Sequence, residues 1–336
     1  MTKYGILCCC LLSIGLSPVA QTHQGGAFFK IVPLGVRGGL DESNLSAYML
    51  SASNNEYICL DAGTLHFGIQ KAIDTGVFDS SESVVLKKYI KGYLISHPHL
   101  DHVAGLIINS PDDAPKNIYG TPFCLNIIRD KYFSWQSWAN FGNEGEKPAL
   151  GKYHYTYLSA DSETAIEHTS MYVRAFTLSH GNPYQSTAFL IRHDSAYVLY
   201  LGDTGADAIE KSNHLRTLWK AIAPLVKTKQ LKCIFIEVSF SNEQPEKQLF
   251  GHLNPRLLMQ EMDTLAGFTG REALRNLEIL ITHIKPAPNA ETTIRAQLAA
   301  ANTLHLSFLF PQQGQRIYLL NGLPKMYDRN FGKPQK

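Results

Sequence analysis

Ser96-His97-Pro98-His99-Leu100-Asp101-His102-Val103-Ala104-Gly105 places three imidazoles and one carboxylate within six positions, directly behind the apolar run Tyr93-Leu94-Ile95. On an extended segment residues two apart point the same way, so His97 and His99 can present nitrogens to one cation from a single face. Asp101 and His102 fall where the chain should leave the strand and can turn toward a second cation beside the first. Imidazole and carboxylate together suit a borderline metal such as zinc. A lone histidine is usually a surface residue. Four ligand-type side chains in six positions behind a buried strand point instead to a metal centre.

Working outward, the same design recurs. An alternating strand over 171–178 runs into Ser179-His180-Gly181; a strand over 196–201 ends in Gly202-Asp203-Thr204-Gly205; a strand over 277–282 ends in His283-Ile284-Lys285-Pro286. Ligand-type residues at the ends of several strands build one cleft at a sheet edge in an α/β protein. Further strands are expected over 28–35, 46–51, 57–64, 92–96, 187–192 and 233–240, and helices over 68–75, 84–90, 105–111 and 255–265. Residues 121–133 read as a strand or turn followed by a helix, and Gly35 to Leu40 as a tight turn rather than a phosphate loop. Asp61, closing its strand, reads equally as a cap for the helix after it or as an acceptor that orients a metal-binding histidine. The aromatic stretch from Tyr132 to Asn143 is either packing or a platform for a planar ligand.

The 336 residues are 44% hydrophobic and 18% charged, ample for a large core, and without a repeat or polar linker they read as one domain over 21–336. A net charge of +2 gives no basic field for a nucleic-acid polymer. Residues 1–20 read as a signal peptide: Lys3 at a basic start, an apolar run over 5–16 too short to anchor in a bilayer, and Ser17-Pro18-Val19-Ala20 before the cut. Leu7 ahead of Cys8 argues against lipid attachment, so a periplasmic or secreted protein with no remaining membrane anchor is expected. Cys59, Cys124 and Cys233 remain, an odd and scattered set that is no disulfide framework.

The pattern His97-x-His99-x-Asp101-His102, then His180, Asp203 and His283, resembles the two-metal site of the metallo-β-lactamase superfamily. The longer run from His97 to Pro111, with Leu178-Ser179-His180-Gly181, Ile236-Glu237-Val238-Ser239-Phe240, Gly251-His252-Leu253-Asn254-Pro255 and His283-Ile284-Lys285-Pro286, is similar to the class II cyclic-nucleotide phosphodiesterases, including their periplasmic bacterial form. The resemblance implies a four-layer αββα sandwich. It implies one metal held by His97, His99 and His180, a second by Asp101, His102 and His283, and Asp203 bridging them. Two divalent ions are expected, zinc by default with manganese or magnesium as alternatives.

The expected substrate is a 3′,5′-cyclic nucleotide, cyclic AMP or cyclic GMP, opened to the 5′-nucleoside monophosphate by in-line attack of a hydroxide shared by the cations. Asp101, His252 and Glu237 are the candidate catalytic side chains. His252 would be the acid for the departing 3′-oxygen or a phosphate contact, with Glu237 orienting it; a helix-entry hydrogen bond and a buried carboxylate are their plainer readings. A thioester hydrolase of the glyoxalase II type uses the same seven ligands, and a non-catalytic metal- or nucleotide-binding protein is the alternative from another class. A β-lactamase would usually lack the bridging Asp203, and a tRNA-processing nuclease would want a basic arm.

Overall fold

A computed structural model describes residues 29–320 apart from 54 and 160, together with 325–326. The leader read over 1–20 lies outside the described residues. Two sheets lie face to face. The first carries β1 (Phe29–Gly35), β2 (Ala47–Ser51), β3 (Tyr57–Leu60), β4 (Ile90–Leu94), β5 (Lys116–Gly120) and β6 (Tyr153–Tyr157). The second carries β7 (Thr164–Ala165), β8 (Tyr172–Ser179), β9 (Gln185–His193), β10 (Ala196–Leu201), β11 (Leu231–Glu237), β12 (Glu278–Thr282) and β13 (Ser307–Leu309). β14 (Ile317–Leu319) and β15 (Lys325–Met326) return to the first sheet beside β1.

Each sheet starts antiparallel and becomes parallel. β1, β2 and β3 pair antiparallel, then β3 to β6 run parallel. β7 to β10 pair antiparallel, then β10 to β13 run parallel. Parallel neighbours need crossovers, and helices supply them: His66–Asp74, Leu100–Asn109 and Pro122–Ile127 beside the first sheet, His214–Lys227, Pro255–Thr269 and Ala290–Ala301 beside the second.

Alternation along the strands divides the apolar residues into three cores. Tyr48, Leu50, Ile58 and Leu94 face Val173, Phe189, Tyr200 and Phe235 between the sheets. Met49, Cys59 and Tyr93 turn the other way onto Ile69, Val103, Leu106 and Leu125. Ile234, Ile236, Ile279 and Ile281 pack against Trp219, Leu258, Met262 and Ile294. Three cores between four layers are the αββα sandwich that the resemblance implied. Trp219 is fully buried and donates its indole N–H to Glu261 at 2.9 Å, so Trp219→Ala would cost about 3–5 kcal/mol.

The expected strands and helices are present with shifted ends. One shift matters. The helix expected over 105–111 begins at Leu100, because His99 remains extended and the next residues wind at once, with His102 N–H on His99 O at 2.9 Å. Strand β4 stops at Leu94, so His97 and His99 stand on an extended loop rather than in the ladder, while Asp101 and His102 project from a first helical turn. Strands β5, β6, β7, β13, β14 and β15 and the helices His214–Lys227 and Ala290–Ala301 were not anticipated. Cys59, Cys124 and Cys233 are free, buried thiols.

Candidate metal centre

The seven residues marked by the sequence converge at one end of the sandwich, beyond the carboxyl ends of β4, β8, β10 and β12. Ligand atoms of His97, His99 and His180 lie within 4.8 Å of one another, and so do those of Asp101, His102, Asp203 and His283. Asp203 stands between the groups. Its Oδ2 is 3.8 Å from Nε2 of both His97 and His180 and 3.1 Å from Nε2 of His283, and its Oδ1 is 3.3 Å from Nε2 of His102. Asp101 Oδ2 lies 3.1 Å from His283 Nε2 and accepts the Gly39 N–H at 2.9 Å.

Four of the histidines are tied from behind by Nδ1. His102 Nδ1 donates to Asp61 Oδ2 at 2.8 Å, and His180 Nδ1 to the Gly251 carbonyl at 2.8 Å. Ser96 Oγ gives its proton to Asp61 Oδ2 at 2.7 Å, so it accepts from His97 Nδ1 at 3.0 Å. Ser239 Oγ gives its proton to Glu237 Oε2 at 2.5 Å, so it accepts from His283 Nδ1 at 2.9 Å. A ring that donates through Nδ1 carries a bare lone pair on Nε2. Four Nε2 atoms are thereby aimed inward, each offering a lone pair when its ring is neutral. His99 faces the other way round, its Nδ1 3.0 Å from His97 Nε2, with Tyr184 stacked on its ring at 4.6 Å between centroids and 15° between planes.

Asp61 is no helix cap, since Leu65 occupies that position. Its carboxylate accepts from Ser96 N, Ser96 Oγ, His102 Nδ1 and, across the interior, Tyr200 Oη at 2.6 Å. Glu237 accepts from Thr204 N, Leu253 N, Ser239 Oγ and His252 Nδ1, the last at 2.7 Å. Both Asp61 (φ 55°) and His283 (φ 59°) occupy the left-handed region, a backbone strain held by this network. Gly38 permits the close approach of the first loop, since a Cβ there would lie 2.3 Å from His283 Nδ1.

Burial holds His97 well below the ordinary imidazole range, with His102 adding to it, and holds His99 down at about 4. Both are therefore neutral donors. Burial pushes Asp203 up, but His283 and His102 outweigh it and hold the carboxyl well below its usual range. Burial likewise opposes ionisation of Asp101, and His102 and His283 overcome it. His102 moves the other way: burial opposes its charge, but Asp203, Asp61 and Asp101 raise it. In His252 burial is outweighed by Glu237, which raises it.

The donor chemistry fits cations. His102 Nε2 is fully buried without a hydrogen-bond partner, although it points at two carboxylates. Neutral imidazoles, ionised Asp101 and Asp203 and an orphaned buried nitrogen are what a pair of divalent ions would satisfy. His252 and Glu237 adjoin this cluster, with His252 Nδ1 3.8 Å from Asp203 Oδ2. The aromatic stretch braces the site through Tyr132, whose hydroxyl donates to Pro98 O at 2.8 Å, while Phe133 and Phe141 pack together. Ser96, Ser239 and Tyr200 had no role in the sequence reading. The pairs Ser96-His97 and Glu237-x-Ser239 stood within its motifs, whereas nothing in the sequence marked Tyr200.

The family model for class-II cAMP phosphodiesterases matches residues 29–314. A 3′,5′-cyclic-nucleotide phosphodiesterase of Aliivibrio fischeri is 41% identical in a 318-position alignment that covers 90% of this chain and 96% of that protein. A probable 3′,5′-cyclic-nucleotide phosphodiesterase of Yersinia pestis is 34% identical, over 86% of this chain and 88% of its own length. Among solved structures, unliganded yeast PDE1 superposes with a TM-score of 0.78 at 21% identity, covering 88% of this chain and all of that one. The metallo-β-lactamase fold protein YhfI of Bacillus subtilis gives 0.56 at 15% identity, over 86% of this chain and 98% of its own. On a metallo-β-lactamase fold with a His/Asp cluster that could bind metal ions, this chain belongs to the class-II cAMP phosphodiesterase family.

Proposed function

We propose that this chain is an exported two-metal hydrolase that opens 3′,5′-cyclic nucleotides, cyclic AMP or cyclic GMP, to 5′-nucleoside monophosphates. The observation that carries the reading is the convergence of seven donors into two groups sharing Asp203. His97, His99 and His180 would hold one cation, Asp101, His102 and His283 the other, and Asp203 both. Such a pair, with zinc preferred by so many imidazoles and manganese or magnesium as alternatives, supplies Lewis-acid polarisation of the phosphoryl group and activation of water when bound.

The side chains supply the rest. Asp61, Ser96, Ser239 and the Gly251 carbonyl fix ring orientation from behind, so Nε2 of four histidines stays aimed inward. Hydrolysis breaks the bond between phosphorus and the 3′-oxygen, and that oxygen leaves with a proton. His252 is placed to provide it. Its Nδ1 is committed to Glu237, which leaves Nε2 for the substrate side. In His252→Ala we expect kcat to fall about 100-fold with metal content unchanged. Unaltered turnover sinks this role.

The reaction itself is tested by incubating zinc-, manganese- and magnesium-loaded protein with cyclic AMP, cyclic GMP and a glutathione thioester. Release of 5′-nucleotide supports the proposal, and its absence with every metal overturns it. Export rests on residues 1–20, and mature protein recovered outside the cytoplasm should begin at Gln21 on N-terminal sequencing. A retained leader would refute it.

A further inference from the structure

Lys285 stands two residues beyond His283, and its ammonium lies beside the centre. A Cβ placed on Gly39 would be 3.7 Å from Lys285 Nζ and 3.9 Å from Asp101 Oδ2, so both charged groups approach one point on the Gly39 backbone. They are not an ion pair. Among the described residues no carboxylate comes within 4.0 Å of Nζ, and no hydrogen bond from it is formed. The Phe240 ring fixes the other side: its centroid is 6.0 Å from Nζ and 5.9 Å from the His252 ring centroid. Lys285 and His252 thus flank one aromatic ring at the edge of the metal centre, with the lysine half-buried and its head free.

Two other partly or fully buried cations of the fold have partners. Lys116 is held by Asp113 at 2.7 Å and by the carbonyls of Leu86 and Ile90, and Arg37 pairs with Glu291 at 3.4 Å. An ammonium has three donors and no acceptor. Placed beside a centre built to receive an anion, with no internal counter-ion, its complement is a group bearing several charged oxygens. We propose that Lys285 is a phosphate-binding residue, donating to a non-bridging oxygen of the phosphoryl group that the centre engages. The proposal rests on the phosphodiester reading above and adds a residue to it. A cyclic diester carries one negative charge, whereas a monoester or inorganic phosphate carries about 1.5 to 2 at neutral pH. Loss of the ammonium should therefore weaken phosphate and 5′-nucleotide more than the cyclic substrate.

The test uses full-length, metal-loaded protein and three measurements: metal per chain, affinity for inorganic phosphate by calorimetry, and kcat/KM for cyclic AMP. In Lys285→Gln we expect phosphate affinity to fall about tenfold or more, a charge-assisted contact being lost, with kcat/KM reduced and metal content unchanged. Lys285→Arg keeps the charge and should recover most of the phosphate affinity. Phosphate affinity within twofold of wild type in Lys285→Gln overturns the proposal, and so does a loss that merely tracks loss of metal. If wild-type protein turns over no cyclic nucleotide, the functional reading fails while the calorimetry still decides the role of Lys285.

Discussion

In the first half of the centre Asp61 and Ser96 hold His102 and His97 by their Nδ1 atoms; in the second half Glu237 and Ser239 hold His252 and His283 in the same manner. Each carboxylate binds one histidine directly, at 2.8 and 2.7 Å, and reaches the other through a serine hydroxyl. Each lies at or just beyond the end of a strand in the parallel part of its sheet, with a backbone N–H from the neighbouring strand's loop as a further donor: Ser96 N for Asp61, Thr204 N for Glu237. The difference lies in what the direct partner presents. His102 turns its free Nε2 toward Asp203 at 3.3 Å, whereas His252 approaches Asp203 at 3.8 Å with Nδ1, the nitrogen already committed to Glu237. The two histidines thus differ in the nitrogen they bring to Asp203, free Nε2 in His102 and an already bonded Nδ1 in His252, and the roles proposed for them rest on that difference.

Asp203 belongs to both halves, so its loss should have the largest effect. Asp203→Ala removes the shared carboxylate and strands His102 and His283; turnover of cyclic AMP should fall about a thousand-fold, with metal per chain reduced, as elemental analysis would report. Full metal content with near-normal turnover would break the two-group description. Asp61→Asn comes next. The amide cannot accept from Ser96, His102 and Tyr200 together, and metal affinity measured by chelator competition should drop about 10- to 100-fold.

Ser96→Ala and Ser239→Ala sharpen the comparison, since each frees one Nδ1 to take the wrong tautomer. Similar losses, about tenfold in metal affinity, would support equivalent halves. An effect confined to one of them would show that the likeness is only geometric. Glu278 is the control: a buried carboxylate without such a relay, one of whose oxygens has no hydrogen-bond partner. Burial pushes its carboxyl up to about 7. The folded value exceeds the unfolded value of about 4.3, so its contribution to stability is retained below pH ~4.3 and lost as pH rises toward 7. Glu278→Gln should leave activity unchanged and raise Tm by about 2–4 °C at pH 8 relative to pH 5 in paired melts. An equal Tm difference at both values would remove the pH argument.

The two halves were not equally legible in the sequence. His97 to His102 is dense enough to read at sight, because one loop and one helical turn supply four side chains. His180, Asp203 and His283 were legible only as residues repeatedly placed where strands stop. The relays were half visible. Asp61 could be read two ways, since a carboxylate before a helix and one behind a histidine look alike in one dimension. Ser96 and Ser239 were ordinary serines until their geometry was known, and Tyr200 reaches Asp61 from the opposite sheet. Among the elements, β6 was missed because Tyr153-His154-Tyr155-Thr156-Tyr157 follows an irregular aromatic segment at a sheet edge. The helix Ala290–Ala301 buries only Ile294 and Leu298 and so does not announce itself by periodicity, whereas His214–Lys227 spaces Leu215, Leu218, Trp219, Ile222 and Val226 at helical intervals, with only its interior Pro224 speaking against a helix.

The central claim is that seven residues from both halves hold two cations around Asp203. Metal per chain, measured by elemental analysis on zinc-loaded protein after removal of free metal, tests it most directly. The account predicts two ions per chain in the wild type, with loss of at least one in Asp203→Ala. A ratio of one or none in active wild-type protein would contradict it.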